Sequence, residues 1–268
     1  MDIVCYVVKC GRQSGVCRTL LSRKHGFQPP EKGDLMNNIP PFGIHPSETL
    51  HRLYQNKPWQ GQDPEQAKIL FLSLDANWDY DIEQSPVFPQ VQEYLQDGVL
   101  FWEKYGIHHP MLLNGYHGSG KKFHLSFTRL GLAPENAKHI SFIELFGKPT
   151  YGGSGEEPDF MNMVLEQDAS YLNFLKHILT ETRGKTFFVA KDVYNKLYKH
   201  QNTILGKKVL QMKPYRVRAN AFTTIQLNSN VIVPVYHFSY RYLPKAEQNT
   251  YFEAYKQALN DVIVEKKR

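Results

Sequence analysis

Lys68-Ile-Leu-Phe-Leu-Ser-Leu-Asp75-Ala-Asn77 is the stretch that decides the fold, because an apolar run leads directly to a carboxylate. Such a run is typical of a strand buried on both faces of a parallel sheet. Folds of this class place their chemistry at the carboxyl ends of these strands. A second run, Val231 to Tyr236, leads in the same way to His237. The two patterns together predict one active site that contains Asp75 and His237.

From Lys68 onward, apolar runs alternate with amphipathic stretches, which predicts an α/β protein with helices on both faces of its sheet. We expect a three-layer α/β/α sandwich around a central four-stranded parallel sheet. The predicted strands are Ile69–Leu74, His139–Leu145, Thr186–Ala190 and Val231–Tyr236, and the predicted helices are Phe88–Tyr105, Lys121–Leu130, Ser170–Glu181, Asp192–His200 and Lys245 to about Glu265. Residues 1–67 lack this alternation and are predicted to be an N-terminal extension to a domain of residues 68–268.

The overall charge favours an acidic partner. The 268-residue chain carries a formal charge of +6 and has a sequence pI of about 9.0, which suits a nucleic acid. No apolar run is long enough to cross a bilayer and no signal peptide is recognisable, so we expect a cytoplasmic protein without membrane contact. We also expect a monomer. The three cysteines, Cys5, Cys10 and Cys17, are odd in number and are predicted to be reduced thiols.

Three polar motifs resemble known functional sites but do not match their patterns. The carboxylates from Asp75 to Asp81 alternate as in a calcium loop, but Tyr80 stands where such a loop needs glycine. The stretch Gly152-Gly-Ser154-Gly155 lacks the last glycine of a serine-hydrolase elbow and is predicted to be a flexible connection. Four histidines fit no metal-binding spacing and are expected to meet solvent: His108, His109, His117 and His124. We therefore predict no metal and no cofactor.

Asp75 taken alone could also be a strand-end residue that caps the next turn.

Five segments, in chain order, resemble the motifs of the uracil-DNA glycosylase superfamily. They are Ser73-Leu-Asp75-Ala-Asn77, Gly120–Leu132, Ile140–Thr150, Ala190-Lys-Asp-Val-Tyr194 and His237-Phe-Ser239-Tyr-Arg241. The pattern is most similar to the mismatch-specific branch, although the His-x-Ser segment resembles the uracil-specific branch. The resemblance extends from Lys68 to Glu265, and it departs from the family where Ser73, Ala76 and Phe238 replace glycine or proline.

The resemblance implies a monofunctional DNA glycosylase, which hydrolyses the N-glycosidic bond of a flipped-out pyrimidine and leaves an abasic site. Asp75 would orient water and stabilise the oxocarbenium, while His237 would stabilise the departing base. The implied DNA contacts are Ser239, Arg241 and Lys148. The implied contacts of the base are Ser73, Leu74, Asn77, Glu144 and, as a stacking ring, Tyr116. Phe101 and Trp102 are alternative stacking residues, for which core packing is also expected.

Two of these positions bear on the target base. Asn77 is smaller than the tyrosine of the uracil-specific branch and leaves room at the pyrimidine C5 atom. Glu144 replaces an asparagine, and a carboxylate accepts hydrogen bonds from an exocyclic amine such as cytosine N4. The expected target is therefore a 5-substituted cytosine, such as hydroxymethylcytosine or its glucoside in phage DNA. The alternatives are a uracil or mismatch repair glycosylase, a non-catalytic nucleic-acid-binding relative, and a serine hydrolase that uses Ser154.

Overall fold

The computed structural model describes residues 39–118, 120–154, 157–210, 224–235 and 245–264. These residues form a seven-stranded, mixed sheet. Its strands are β1 (Phe42–Ile44), β2 (Gln60–Gly61), β3 (Ile69–Asn77), β4 (Ile140–Gly152), β5 (Thr186–Ala190), β6 (Ile225–Leu227) and β7 (Asn230–Val235). The described helices are α1 (Glu48–Asn56), α2 (Phe88–Gln96), α3 (Gly98–Tyr105), α4 (Lys121–Thr128), α5 (Phe160–Glu166), α6 (Ala169–Thr180), α7 (Lys191–Ile204) and α8 (Lys245–Val264).

The centre of the sheet is parallel, as the sequence predicts. Its order is β1-β4-β3-β5-β7-β6, and the four strands β4, β3, β5 and β7 run in one direction. Short antiparallel strands complete both sides, since β1 and β2 pair with β4 and β6 pairs with β7. The α/β class is confirmed. The sheet is wider than the predicted four strands, and its flanking helices are compatible with a three-layer sandwich.

Aromatic side chains hold the central strands to the helices. Phe71 of β3 stacks on Phe142 of β4 and on Phe188 of β5, with ring centroids 5.3 and 5.5 Å apart. The edge of Phe127 from α4 meets the same ring at 4.9 Å. All four side chains belong to the largest buried cluster or pack against it. The core thus lies directly beneath the carboxyl ends of β3 and β4, and this support keeps those ends rigid.

Residues before Lys68 belong to this fold. The compact unit begins at Pro40, so the predicted division after residue 67 is not where the structure divides the chain. Both β1 and β2 lie on the outer side of β4, separated in the chain by α1. Strands of two or three residues are too short to show an alternating apolar pattern. Their pairing with a distant strand therefore left no local signal in the sequence.

The predicted helix Phe88–Tyr105 is two helices that meet at Asp97. This residue has an extended backbone (φ −146°, ψ 94°), and its carboxylate accepts hydrogen bonds from the amides of Val99 and Leu100, both 3.0 Å long. Asp97 thereby caps the start of α3. The next position, 98, is occupied by glycine because a Cβ atom there would lie 2.8 Å from the backbone of Gly61. No helix in the described part of the chain is long and apolar enough to cross a membrane.

Candidate active site at the carboxyl edge of the sheet

A bulge at the carboxyl end of β4 shapes the site. Asp75 of β3 is paired with Phe146, but the next residue, Ala76, is paired with Pro149. Gly147 and Lys148 consequently have no partner on β3. A bulge of this kind re-aims the side chains that follow it and is frequent beside active sites. Here the parallel pairing resumes at Pro149, so that Thr150 is paired with Asn77 of β3.

Asp75 is held in one orientation by side chains of β4 and of the connection that follows it. One carboxylate oxygen accepts a hydrogen bond from the Thr150 hydroxyl and the other accepts one from the Ser154 hydroxyl. Asn77 also donates to this carboxylate. Burial raises the pKa of Asp75 above its usual value, and the three hydrogen bonds oppose that rise. The Asp75 carboxylate is therefore bonded to side chains of β3, of β4 and of the connection after β4. The alternative that it caps the following turn is wrong.

The connection after β4 is packed against β3. Gly152 has a φ of +80°, and a Cβ atom at this position would overlap the carbonyl oxygen of Pro41. Its own carbonyl accepts a hydrogen bond from the Asn77 side chain. Ser154 is buried and bonded to Asp75. The prediction of a flexible connection is thus wrong for Gly152 and Ser154, and Gly155 lies outside the described residues. No described histidine contacts Ser154, so the geometry offers no support for a serine nucleophile here.

Glu144 is the second carboxyl group of the site. It is paired with Ser73, two residues before Asp75, so the three side chains project from the same face of the sheet. The residue is only 4% exposed, and its Oε1 accepts a hydrogen bond of 3.2 Å from the Gln60 side chain. Burial, followed by the nearby charge of Asp75, raises the pKa of Glu144 to about 8. At neutral pH Glu144 is therefore mostly a carboxylic acid.

Three buried tyrosines surround Glu144. Tyr171 donates its hydroxyl to the backbone carbonyl of Glu144 at 2.7 Å, and the Tyr54 hydroxyl accepts a hydrogen bond of 3.1 Å from the Trp78 indole. Burial, and next the charge of Glu144, raise the pKa of Tyr54, Tyr94 and Tyr171. All three phenols therefore stay neutral. These uncharged walls give the site a low local dielectric, in which any charge that develops interacts strongly.

The expectation that the histidines meet solvent is wrong for His108 and His109, which are buried, and His124 is half-buried against them. His109 lies between the Trp78 and His124 rings, with centroids 5.4 and 3.6 Å away, and His108 Nε2 lies 3.1 Å from His124 Nδ1. Burial lowers the pKa of all three, that of His108 to about 3. The rings are neutral core groups. No set of three candidate ligands for one metal ion exists among the described residues.

The other predicted site residues are distributed as follows. Ser73 and Leu74 are half-buried in β3, and Lys148 is exposed on the bulge of β4. Tyr116, at 2% exposure, packs in a buried cluster with Ala76 and Trp78. Phe101 and Trp102 are buried in α3, which confirms their expected core role. His237, Ser239 and Arg241 lie outside the described residues.

β7 ends two residues before His237 in the chain. β7 is parallel to β5, which is parallel to β3, and it ends at Val235. The chain thus leaves β7 at the same edge of the sheet that carries Asp75.

Sequence reasoning missed the groups that hold the two carboxyls. Ser154 was considered only as a nucleophile, and Thr150 only as part of a resembling segment. Gln60 carried no signal, because it lies 84 residues from Glu144 in the chain. No family model matches this chain, and no curated protein is significantly similar to it.

Proposed function

We propose that this protein is a monofunctional DNA glycosylase that releases a flipped-out pyrimidine and leaves an abasic site. The observation that carries the proposal is the pair Asp75 and Glu144, two carboxyl groups on one face of neighbouring strands in different environments. Hydrolysis of a glycosidic bond uses such a pair, one ionised and one protonated. The order of the five resembling segments favours the N-glycosidic bond of DNA over other glycosides.

In this mechanism Asp75 acts on the sugar. Breaking the bond between C1′ and N1 develops positive charge on the deoxyribose, which an oriented carboxylate stabilises. The hydroxyls of Thr150 and Ser154 fix the orientation of that carboxylate before substrate binds. The same carboxylate can position the attacking water. His237 would stabilise the departing base from the opposite side, as the family resemblance implies.

A nucleic acid partner is supported by charge and by one exposed aromatic ring beside the site. The chain carries a net charge of +6. Tyr80, three residues beyond Asn77, is 40% exposed and meets Tyr151 edge to face at 5.0 Å. Exposed rings of this kind stack on unpaired bases. They would support the nucleotides next to an extruded one.

The finer proposal concerns the target base. A small Asn77 leaves space at C5, and Glu144 can accept a hydrogen bond from a 4-amino group. We therefore place 5-substituted cytosines first, such as hydroxymethylcytosine and its glucoside in phage DNA, with an antiviral role. Uracil or mismatched thymine in repair is the alternative glycosylase substrate, and a non-catalytic DNA-binding relative is the alternative from another class.

Oligonucleotides that carry one target base each test the proposal. Wild-type protein is incubated with single- and double-stranded DNA containing uracil, a thymine mismatch, 5-hydroxymethylcytosine or its glucoside, and abasic sites are revealed by alkaline cleavage. One substrate should yield product, and Asp75→Asn should reduce its formation by about 10²- to 10⁴-fold while DNA affinity stays similar. Binding without cleavage of any substrate would support the non-catalytic alternative. Labelling of Ser154 by a fluorophosphonate would support the hydrolase.

A further inference from the structure

Among the described residues, Glu144 has no cationic partner. The groups that face it come from five elements: Tyr54 of α1, Tyr94 of α2, Tyr171 of α6, Gln60 of β2 and Asp75 of β3. None of them is a cation, and Asp75 carries the same sign as an ionised Glu144. A buried carboxyl in such surroundings keeps its proton, since ionisation would leave an uncompensated charge in a low dielectric.

The two oxygens of Glu144 have different environments. Oε1 accepts the hydrogen bond from Gln60, whereas Oε2 forms no hydrogen bond with any described residue. Because an amide N–H requires an acceptor, Gln60 keeps Oε1 as the carbonyl oxygen and leaves the proton on Oε2. Oε2 therefore presents an O–H donor on the face of the sheet that also carries Asp75.

We propose that Glu144 is a catalytic general acid that protonates N3 of a cytosine-type base as the base leaves. The inference rests on the proposed glycosylase function and deepens it. The Oε2–H group donates to N3, and Oε1 accepts from the 4-amino group, so one carboxylic acid pairs with both atoms of that base edge. This pairing requires Glu144 to be protonated when the substrate binds.

The proton balance is complete. As the bond between C1′ and N1 breaks, its electron pair goes to the base, and the proton of Glu144 moves to N3, so the base departs as a neutral molecule. Water attacks C1′ and forms the new C–O bond. The proton that this water loses passes by way of Asp75 to solvent, and Glu144 takes a proton from solvent after the base has left. The net reaction consumes one water and releases one base.

Proton transfer from Glu144 to N3 would favour release of cytosine over release of uracil. Uracil already carries a hydrogen on N3, so the Oε2–H donor would meet another donor there, and no proton could be transferred to that nitrogen. Uracil O4 is likewise an acceptor that would face the acceptor Oε1, so both hydrogen bonds are mismatched. Such a site rejects the wrong ligand strongly, because buried polar groups are left unpaired. We expect cytosine-type bases with a free N3 to be released at least 10²-fold faster than uracil in the same sequence.

The test uses Glu144→Gln, whose amide keeps the size, one donor and one acceptor but cannot transfer a proton. Single-turnover rates are measured on DNA containing 5-hydroxymethylcytosine between pH 6 and pH 9. The wild-type rate should fall above about pH 8, where Glu144 ionises. Glu144→Gln should lower the rate by about 10²- to 10⁴-fold and abolish that fall, with DNA affinity within a few-fold of wild type. The matched control is Glu103→Gln, at an exposed position of α3. This variant should behave as wild type.

A second variant tests the role of Glu144 without replacing Glu144 itself. Gln60→Met removes the hydrogen bond that favours the ionised form of Glu144, so the fall in rate should move to higher pH. Three results would overturn the proposed role of Glu144 but not the proposed function. They are a shift of the fall in rate to lower pH, a fall that does not move, and a Glu144→Gln variant that is active with an unchanged pH profile. Absence of abasic sites with wild-type protein on every substrate would instead overturn the proposed function.

Discussion

Acid should destabilise this protein through a cluster of three histidines. His108, His109 and His124 are neutral in the fold, and the pKa of His108 falls from 6.5 to about 3. A pKa that is lower in the folded state gives stability that is full above pH 6.5 and is lost as the pH falls toward the folded value. Between pH 7 and pH 5 His108 alone lowers the free energy of unfolding by about 2 kcal/mol, and His109 and His124 act in the same direction.

Glu144 opposes this loss. Its pKa is higher in the fold than in the unfolded chain, about 8 against 4.5, so its contribution to stability grows as the pH falls through that window. Over the same interval it restores roughly 2 to 3 kcal/mol. Three histidines act against this one carboxyl group, so we expect the free energy of unfolding to decrease as the pH falls. Tm should consequently fall between pH 7 and pH 5.

Urea unfolding at pH 7, 6 and 5 measures the effect, with His108→Gln as the diagnostic variant. Its amide can hydrogen-bond but does not titrate in this range, so the loss of stability between pH 7 and pH 5 should be about 2 kcal/mol smaller than in wild type. Glu144→Gln should make the loss larger by roughly 2 to 3 kcal/mol. Stability that is flat or rises toward pH 5, or a His108→Gln variant with the wild-type pH dependence, would refute the reasoning.

Three further predictions concern the site and the core. Thr150→Val removes a hydrogen bond that lowers the pKa of Asp75, so the acid limb of the single-turnover pH–rate profile should move to higher pH; a limb that stays in place would contradict this. Gly152→Ala should lower the free energy of unfolding by more than about 1 kcal/mol because of its positive φ and the overlap at Cβ, whereas Gly153→Ala, which meets open space, should be near neutral in the same urea titration. Phe71→Ala should lower it by about 3 to 5 kcal/mol, since this ring contacts three others at the centre of the sheet, and a loss below about 1 kcal/mol would argue against that packing.

The strands that the sequence predicted correctly share one property. β3, β5 and β7 are central and buried on both faces, so nearly every residue in them is apolar, and the predicted Thr186–Ala190 coincides with β5. An uninterrupted apolar run is a local signal that needs no knowledge of the neighbours. The short strands β1 and β2 have no such run, because their stability comes from pairing with β4.

The sequence by itself determined the α/β class, the parallel central strands and the delivery of Asp75 to the carboxyl edge of the sheet. Only the tertiary structure decided the environment of that carboxylate, because Thr150 and Ser154 lie 75 and 79 residues away in the chain. It also decided that Glu144 is protonated and that His108 is neutral. Protonation depends on burial and on which charges lie nearby, and both are set by contacts between distant segments, which no local pattern records.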